Sequence, residues 1–96
     1  MTYAVIATWR AKEGEEEACR AILERMTPLT RGEPGCREYV ALAQKDDPRT
    51  FVLYEVYDDE AAFQAHRESE HFKTHVLGDA VDRLEERFAK FYEPLD

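Results

Sequence analysis

The chain has 96 residues, 44% of them hydrophobic, with 13 basic against 21 acidic side chains and a net charge of −8. That length suits one domain, 1–96, with a small core, and the negative charge argues against nucleic acid or an anionic membrane as partner. No apolar run reaches a membrane-spanning length, no basic and apolar leader opens the chain, and Cys19 and Cys36 lack a CxxC neighbour, so the expectation is a cytoplasmic protein with two free thiols.

Residues 2–11 alternate, with Tyr3, Val5, Ala7 and Trp9 on one face, and predict a buried strand. Residues 14–30 predict a helix. Cys19, Ile22, Met26 and Leu29 recur at steps of three and four, and Glu15, Glu16 and Glu17 stand where the helix dipole favours acids. Pro28 is expected to kink or end it. "GEPG" at 32–35 is turn chemistry, 36–45 a second strand, 46–49 a hairpin-length loop and 50–57 a third strand. Asp58 is a candidate N-cap for a helix reaching about residue 68, and Ser69 for another reaching about 84. Residues 86–95 read as a fourth strand that Pro94 ends.

The order β-α-β-β-α-(α)-β is the ferredoxin-like, split βαβ pattern of the α+β class: a four-stranded antiparallel sheet with helices on one face. The opposite face also carries apolar residues on all strands. That surplus points to a homodimer formed through the sheet face.

His66, His71 and His75 are the three histidines, all in "AHRESEHFKTH". Helical geometry directs His66 between Ala62 and Phe63, toward the interior. His75 falls opposite a stripe formed by Phe72, Val76, Leu77, Ala80, Val81 and Leu84, so it is expected in solvent. The direction of His71 depends on how the helices meet at Ser69. A metal needs three or four convergent ligands. His71 and His75 share an i, i+4 face with Glu68 or Glu70 nearby, but His66 stands on another helix face, and no metal site is expected. A histidine simply satisfied in the core is the plain alternative for His66. Glu55 shares a strand face with Phe51, Leu53 and Tyr57, and buried glutamates are rare unless paired. A Glu55–His66 hydrogen bond would fix the imidazole tautomer and strengthen it as a base; a rim carboxylate paired with an arginine is the alternative. GxGxxG, P-loop, CxxCH, HExxH and GxSxG are all missing. Chemistry would therefore rest on a few side chains in an apolar cavity lined from Trp9, Tyr39, Tyr54, Phe63, Phe72, Phe88, Phe91 and Tyr92, each of which could equally be ordinary core.

Glu33–Gly35–Cys36–Tyr39, Tyr54–Glu55–Tyr57, the run from Glu60 to His66, and Ser69–His71–Phe72 together resemble, in order and spacing, the antibiotic biosynthesis monooxygenase family, near its small quinol-monooxygenase-like members. "YAVIATWRAKEG" fits as well, so the resemblance covers essentially the whole chain. It implies a dimeric α+β barrel with a cavity between sheet and helices in each protomer. It also implies a cofactor-free monooxygenase acting on a quinol-like or polycyclic phenolic substrate. His66 and Glu55 match the catalytic positions. His71 is implied to bind substrate, beside Trp9, Tyr39, Tyr54, Phe63 and Phe72 as candidate lining. Two positions depart from the pattern: Glu70 stands for the usual proline, and Tyr57 where tryptophan is commoner.

Two other activities belong to relatives of this fold. An isomerase of small phosphorylated ketones would need a phosphate clamp, for which Arg31, Arg37 and Arg67 are candidates without an evident cluster. Haem degradation wants an early asparagine, and the chain contains none. From a different class, a non-catalytic small-molecule-binding or stress-response protein fits the same pocket.

Overall fold

The computed structural model describes residues 2–95. Four strands form one antiparallel sheet in the order β2-β3-β1-β4, with β1 (Tyr3–Ala11) between β3 (Thr50–Tyr57) and β4 (Leu84–Tyr92), and β2 (Cys36–Ala43) on the far edge. Helix α1 (Glu16–Arg31), α2 (Glu60–Arg67) and a third helix complete the ferredoxin-like α+β arrangement that the residue pattern predicts. None of the helices among the described residues is long and apolar enough to cross a membrane.

Alternation along the strands sorts the side chains into two faces. Val5, Ala7, Trp9, Ala11, Tyr39, Phe51, Leu53, Glu55 and Tyr57 are buried on the helix side. The same face of β1 meets Phe91, Ala89 and Arg87 of β4 in register. Cys19, Ile22, Leu23 and Met26 of α1 complete the main cluster with Phe72, Val76, Ala80 and Leu84. A second cluster, Val5, Tyr57 and Phe63, closes the end near α2. Each fully buried large side chain contributes about 1.5–3 kcal/mol of transfer free energy. The outer face leaves Leu42, Tyr54, Phe88 and Tyr92 exposed.

The structure shifts several expected boundaries, each for a local reason. Pro28 sits in the last turn of α1 without ending it, since the loss of one amide there costs a single bond. Asp59 caps α2, accepting from the Ala62 amide at 2.9 Å. Asp58 instead accepts from Arg37 at 2.6 Å and gives its amide to the Gly35 carbonyl. Ser69 caps the next helix as expected, its hydroxyl accepting from the Phe72 amide and donating to the His66 carbonyl.

That third helix, α3, is wound as π helix over Phe72–Ala80 and closes with one α turn, Val81–Arg83. The wider winding aligns Phe72, Val76, Ala80 and Leu84 at steps of four and buries all of them. Leu77 and Val81, counted in the stripe on α-helical spacing, are turned to solvent instead. β4 therefore begins at Leu84, ahead of the expected start at 86, and β2 stops at Ala43, short of 45.

Candidate active site

Glu33 is the residue that organises the site. It sits in the turn between α1 and β2, and one carboxylate oxygen, Oε2, is 2.8 Å from His66 Nδ1 and 2.5 Å from His71 Nε2. The turn can reach α2 because Gly35 lies against it: a Cβ there would come within 2.5 Å of the Ala62 methyl. His66, 3% exposed, is the buried polar end of α2, while His71 enters from the start of α3 across the Ser69 break. With a carboxylate oxygen as acceptor, the 2.8 Å contact favours the His66 tautomer that carries its proton on Nδ1. Its Nε2 lone pair is then left free, facing the cavity.

Glu55 enters from β3 beneath this imidazole. Its Oε1 accepts a 2.5 Å hydrogen bond from the Tyr57 hydroxyl, and stands 3.9 Å from His66 Nε2, beyond hydrogen-bond range. The expected Glu55–His66 hydrogen bond is thus corrected: Glu33 orients the ring, and Glu55 faces its free nitrogen. Burial pushes the Glu55 carboxyl up to about 7, against the opposing Tyr57 hydrogen bond and with the Glu33 charge adding to the rise. Burial also lowers His66 below the ordinary imidazole value, outweighing Glu33. Desolvation raises the Tyr39 and Tyr57 hydroxyls, so both stay protonated.

A cavity of about 260 Å³ opens from these groups between sheet and helices. Trp9, Tyr39, Phe63, Phe72, Phe88 and Phe91, expected in the lining, are there, with His66 and Glu55. The Phe72 ring meets the imidazole edge-on at 5.1 Å and Phe63 stacks at 6.3 Å. Phe91 forms the rim, 5.5 Å from Phe63. Tyr54 is a correction. It follows Leu53 and precedes Glu55, both inward, so strand alternation sends it to the outer face, where it is 42% exposed. Tyr92 is likewise outside the lining, and His71 reaches the site through Glu33 without lining the cavity. His75, expected in solvent, is partly exposed and outside the cluster.

The third convergent donor that the histidines alone lack is also Glu33. One ligand atom each from Glu33, His66 and His71 lies within 4.8 Å of the others, a set that could hold a divalent ion. The two hydrogen bonds to Oε2 satisfy the same atoms without one. Of the arginines weighed for a phosphate clamp, Arg31 donates to the Tyr39 carbonyl and Arg37 to Asp58, and only Arg67 lines the cavity. Cys19 and Cys36 are free thiols, both raised by burial.

The model of the antibiotic biosynthesis monooxygenase family matches residues 2–77. The chain belongs to this family. Its relatives include Rv0793 of Mycobacterium tuberculosis, provisionally named a monooxygenase, 39% identical over 69 residues that make up 72% of this chain and 67% of Rv0793. The solved structure of Rv0793 superposes with a TM-score of 0.92 at 31% identity, covering 100% of this chain and 97% of that one. A Nitrosomonas europaea structure, provisionally named an antibiotic biosynthesis monooxygenase, gives 0.92 at 29% identity, covering 98% and 90%. PA3566 of Pseudomonas aeruginosa gives 0.92 at 26%, covering 99% and 95%. In the sequence Glu33 stands only as part of a polar turn and of the Glu33–Gly35–Cys36 stretch that this family member shares with its relatives. The signal for its role lay in Gly35, whose close approach to α2 brings the turn over the histidines.

Proposed function

We propose that the chain is a cofactor-independent monooxygenase that oxidises a hydroquinone or polycyclic phenol with O₂, with His66 as general base. The observation that carries this reading is the 2.8 Å contact of His66 Nδ1 with Glu33, on an imidazole that lines the cavity. Its Nδ1–H is committed to Glu33, so the basic Nε2 faces an aromatic cavity. Burial lowers the imidazole and so favours its neutral form, the one that accepts a proton.

Without a resident redox group, the electrons must come from the substrate. Nε2 takes the phenolic proton, and the phenolate passes one electron to O₂. Recombination of the radical pair places one oxygen on the ring, and the second leaves as water. One hydroquinone and one O₂ then give one hydroxyquinone and one water, so atoms and electrons balance. Phe63 and Phe72 shield the ring and the anion from solvent. As imidazolium, His66 is held by Glu33 on one side and faces Glu55 on the other. His71, on the same Glu33 oxygen, helps hold that carboxylate in place. In the proposal the working unit is a homodimer formed through the exposed outer sheet face.

His66→Ala tests the assignment. O₂ uptake with a naphthohydroquinone should disappear, while sedimentation velocity still gives a dimer and dialysis against EDTA leaves wild-type uptake unchanged. Undiminished uptake in the variant would remove His66 as base. Loss of wild-type uptake on chelation would turn the Glu33–His66–His71 cluster into a metal centre. Thermal stabilisation by hydroquinones without any uptake would favour the binding-protein reading.

A further inference from the structure

Of the nine arginines, five have a carboxylate or carbonyl partner, and Arg20 and Arg25 lie exposed on α1. Arg10, Arg37, Arg49 and Arg83 each lie within 4.0 Å of at least one carboxylate, and Arg31 donates to the Tyr39 carbonyl. Arg67 and Arg87 behave differently. Both line the cavity, Arg67 from the end of α2 and Arg87 from the inward face of β4, and among the described residues neither has a carboxylate within salt-bridge distance. Each guanidinium lies over one of the rings that flank His66: Arg67 is 6.0 Å from the Phe63 centroid and Arg87 5.9 Å from Phe72. The two cations are thus spread on the cavity's own aromatic walls. Burial lowers Arg87, and the neighbouring Arg67 charge adds to the effect. Two like charges facing one cavity, in a protein with 21 acidic residues, leave a place that an anion would neutralise.

We propose that the substrate carries an anionic substituent, a carboxylate or a group of similar geometry, which Arg67 and Arg87 hold at the cavity mouth while the phenolic ring lies against His66. The proposal rests on the hydroquinone reading for its ring and adds the charge. Guanidinium forks suit a planar anion, since they offer paired donors at fixed geometry. Anchoring a substituent at the mouth also sets the depth and rotation of the ring, and so which hydroxyl meets Nε2. A neutral hydroquinone would enter the same cavity with neither constraint.

The test compares a naphthohydroquinone carboxylate with its carboxamide, which differs in charge and hardly in shape. Anaerobic titration calorimetry reads binding apart from turnover. The carboxylate should bind the wild type about 10-fold to 100-fold more tightly, and that preference should weaken as salt is raised. In Arg67→Gln/Arg87→Gln the preference should vanish while the carboxamide keeps its affinity. Neither arginine has a carboxylate partner to lose among the described residues, and the melting temperature of the double variant checks that it folds as the wild type does. Equal affinity for the two ligands in the wild type, or a preference that survives the double substitution, overturns the anion site. O₂ uptake distinguishes the layers. A charge preference without uptake keeps the anion site and refutes the oxygenase, whereas equal affinities with rapid uptake do the reverse. If neither compound binds, both proposals fall.

Discussion

Glu33→Gln isolates what the shared carboxylate does. The amide is the same shape, so its oxygen can occupy the place of Oε2, 2.8 Å from His66 Nδ1 and 2.5 Å from His71 Nε2. What disappears is the charge. A hydrogen bond to an ionised group contributes about 1.5–3 kcal/mol and a neutral one about 0.5–1.5, so two weakened bonds cost about 2 kcal/mol. In a domain of this size that lowers the melting temperature by roughly 8–16 °C. The effect on catalysis is separate. The amide can also turn its NH₂ toward His66, and water cannot take over at a ring that is 3% exposed. The imidazole is then free to carry its proton on Nε2, where it no longer acts as a base. A general base contributes about 10²–10⁴-fold, so kcat/KM should fall by about 10², or roughly 2.7 kcal/mol of transition-state stabilisation. Urea unfolding gives the first quantity, O₂ uptake the second, and ¹⁵N imidazole shifts report the tautomer. A variant that loses stability yet keeps its tautomer and kcat/KM would refute the orienting role. One that loses neither would refute the hydrogen bonds themselves.

Glu55→Gln should alter the pH dependence of stability. Burial raises the Glu55 carboxyl in the folded state to about 7, above an unfolded value of about 4.3, so the folded protein binds the extra proton. The wild type should therefore lose stability relative to the variant as pH rises from about 4.3 through 7, by an amount on the order of 3 kcal/mol. A difference that stays flat over this window in urea titrations would show that Glu55 is ionised throughout. Gly35→Ala should destabilise the chain by about 1–3 kcal/mol and reduce uptake, because the new methyl meets Ala62 at 2.5 Å. Adding Ala62→Gly should restore much of both; a double variant no better than the single would place the strain elsewhere.

The sheet was largely legible in the sequence because its inward residues alternate without interruption. Tyr3 to Trp9 and Phe51 to Tyr57 state two strands and their faces. Tyr54 shows the rule being ignored: once Glu55 is taken as inward, its neighbour must point out, whatever its aromatic character. α3 was legible as a helix but not in its winding. Apolar residues at 76, 77, 80 and 81 satisfy an α-helical stripe, and only packing decides that the steps of four are buried. His66 was legible from its place between Ala62 and Phe63. Glu33 was not, since a turn glutamate looks like solvent-facing polarity until the distant helix is set against it. Arg87 was hidden for a similar reason, because a charged residue on an edge strand gives no sign of facing a cavity.

The sharing of one Glu33 oxygen between two helices also bears on how a ligand gets in. His66 belongs to α2 and His71 to the start of α3, and the chain between them turns at Ser69. Parting these helices stretches the bond to His66, the bond to His71, or both, so that wall of the cavity is pinned at a single atom. On the β4 side the strand is hydrogen-bonded to β1, but the side chain at the rim is not. There Phe91, 51% exposed, belongs to the edge strand β4 and touches Tyr3 and Phe63 only through ring contacts. Rotating the Phe91 ring breaks no hydrogen bond, so opening the cavity there would leave the Glu33 clamp on both histidines intact.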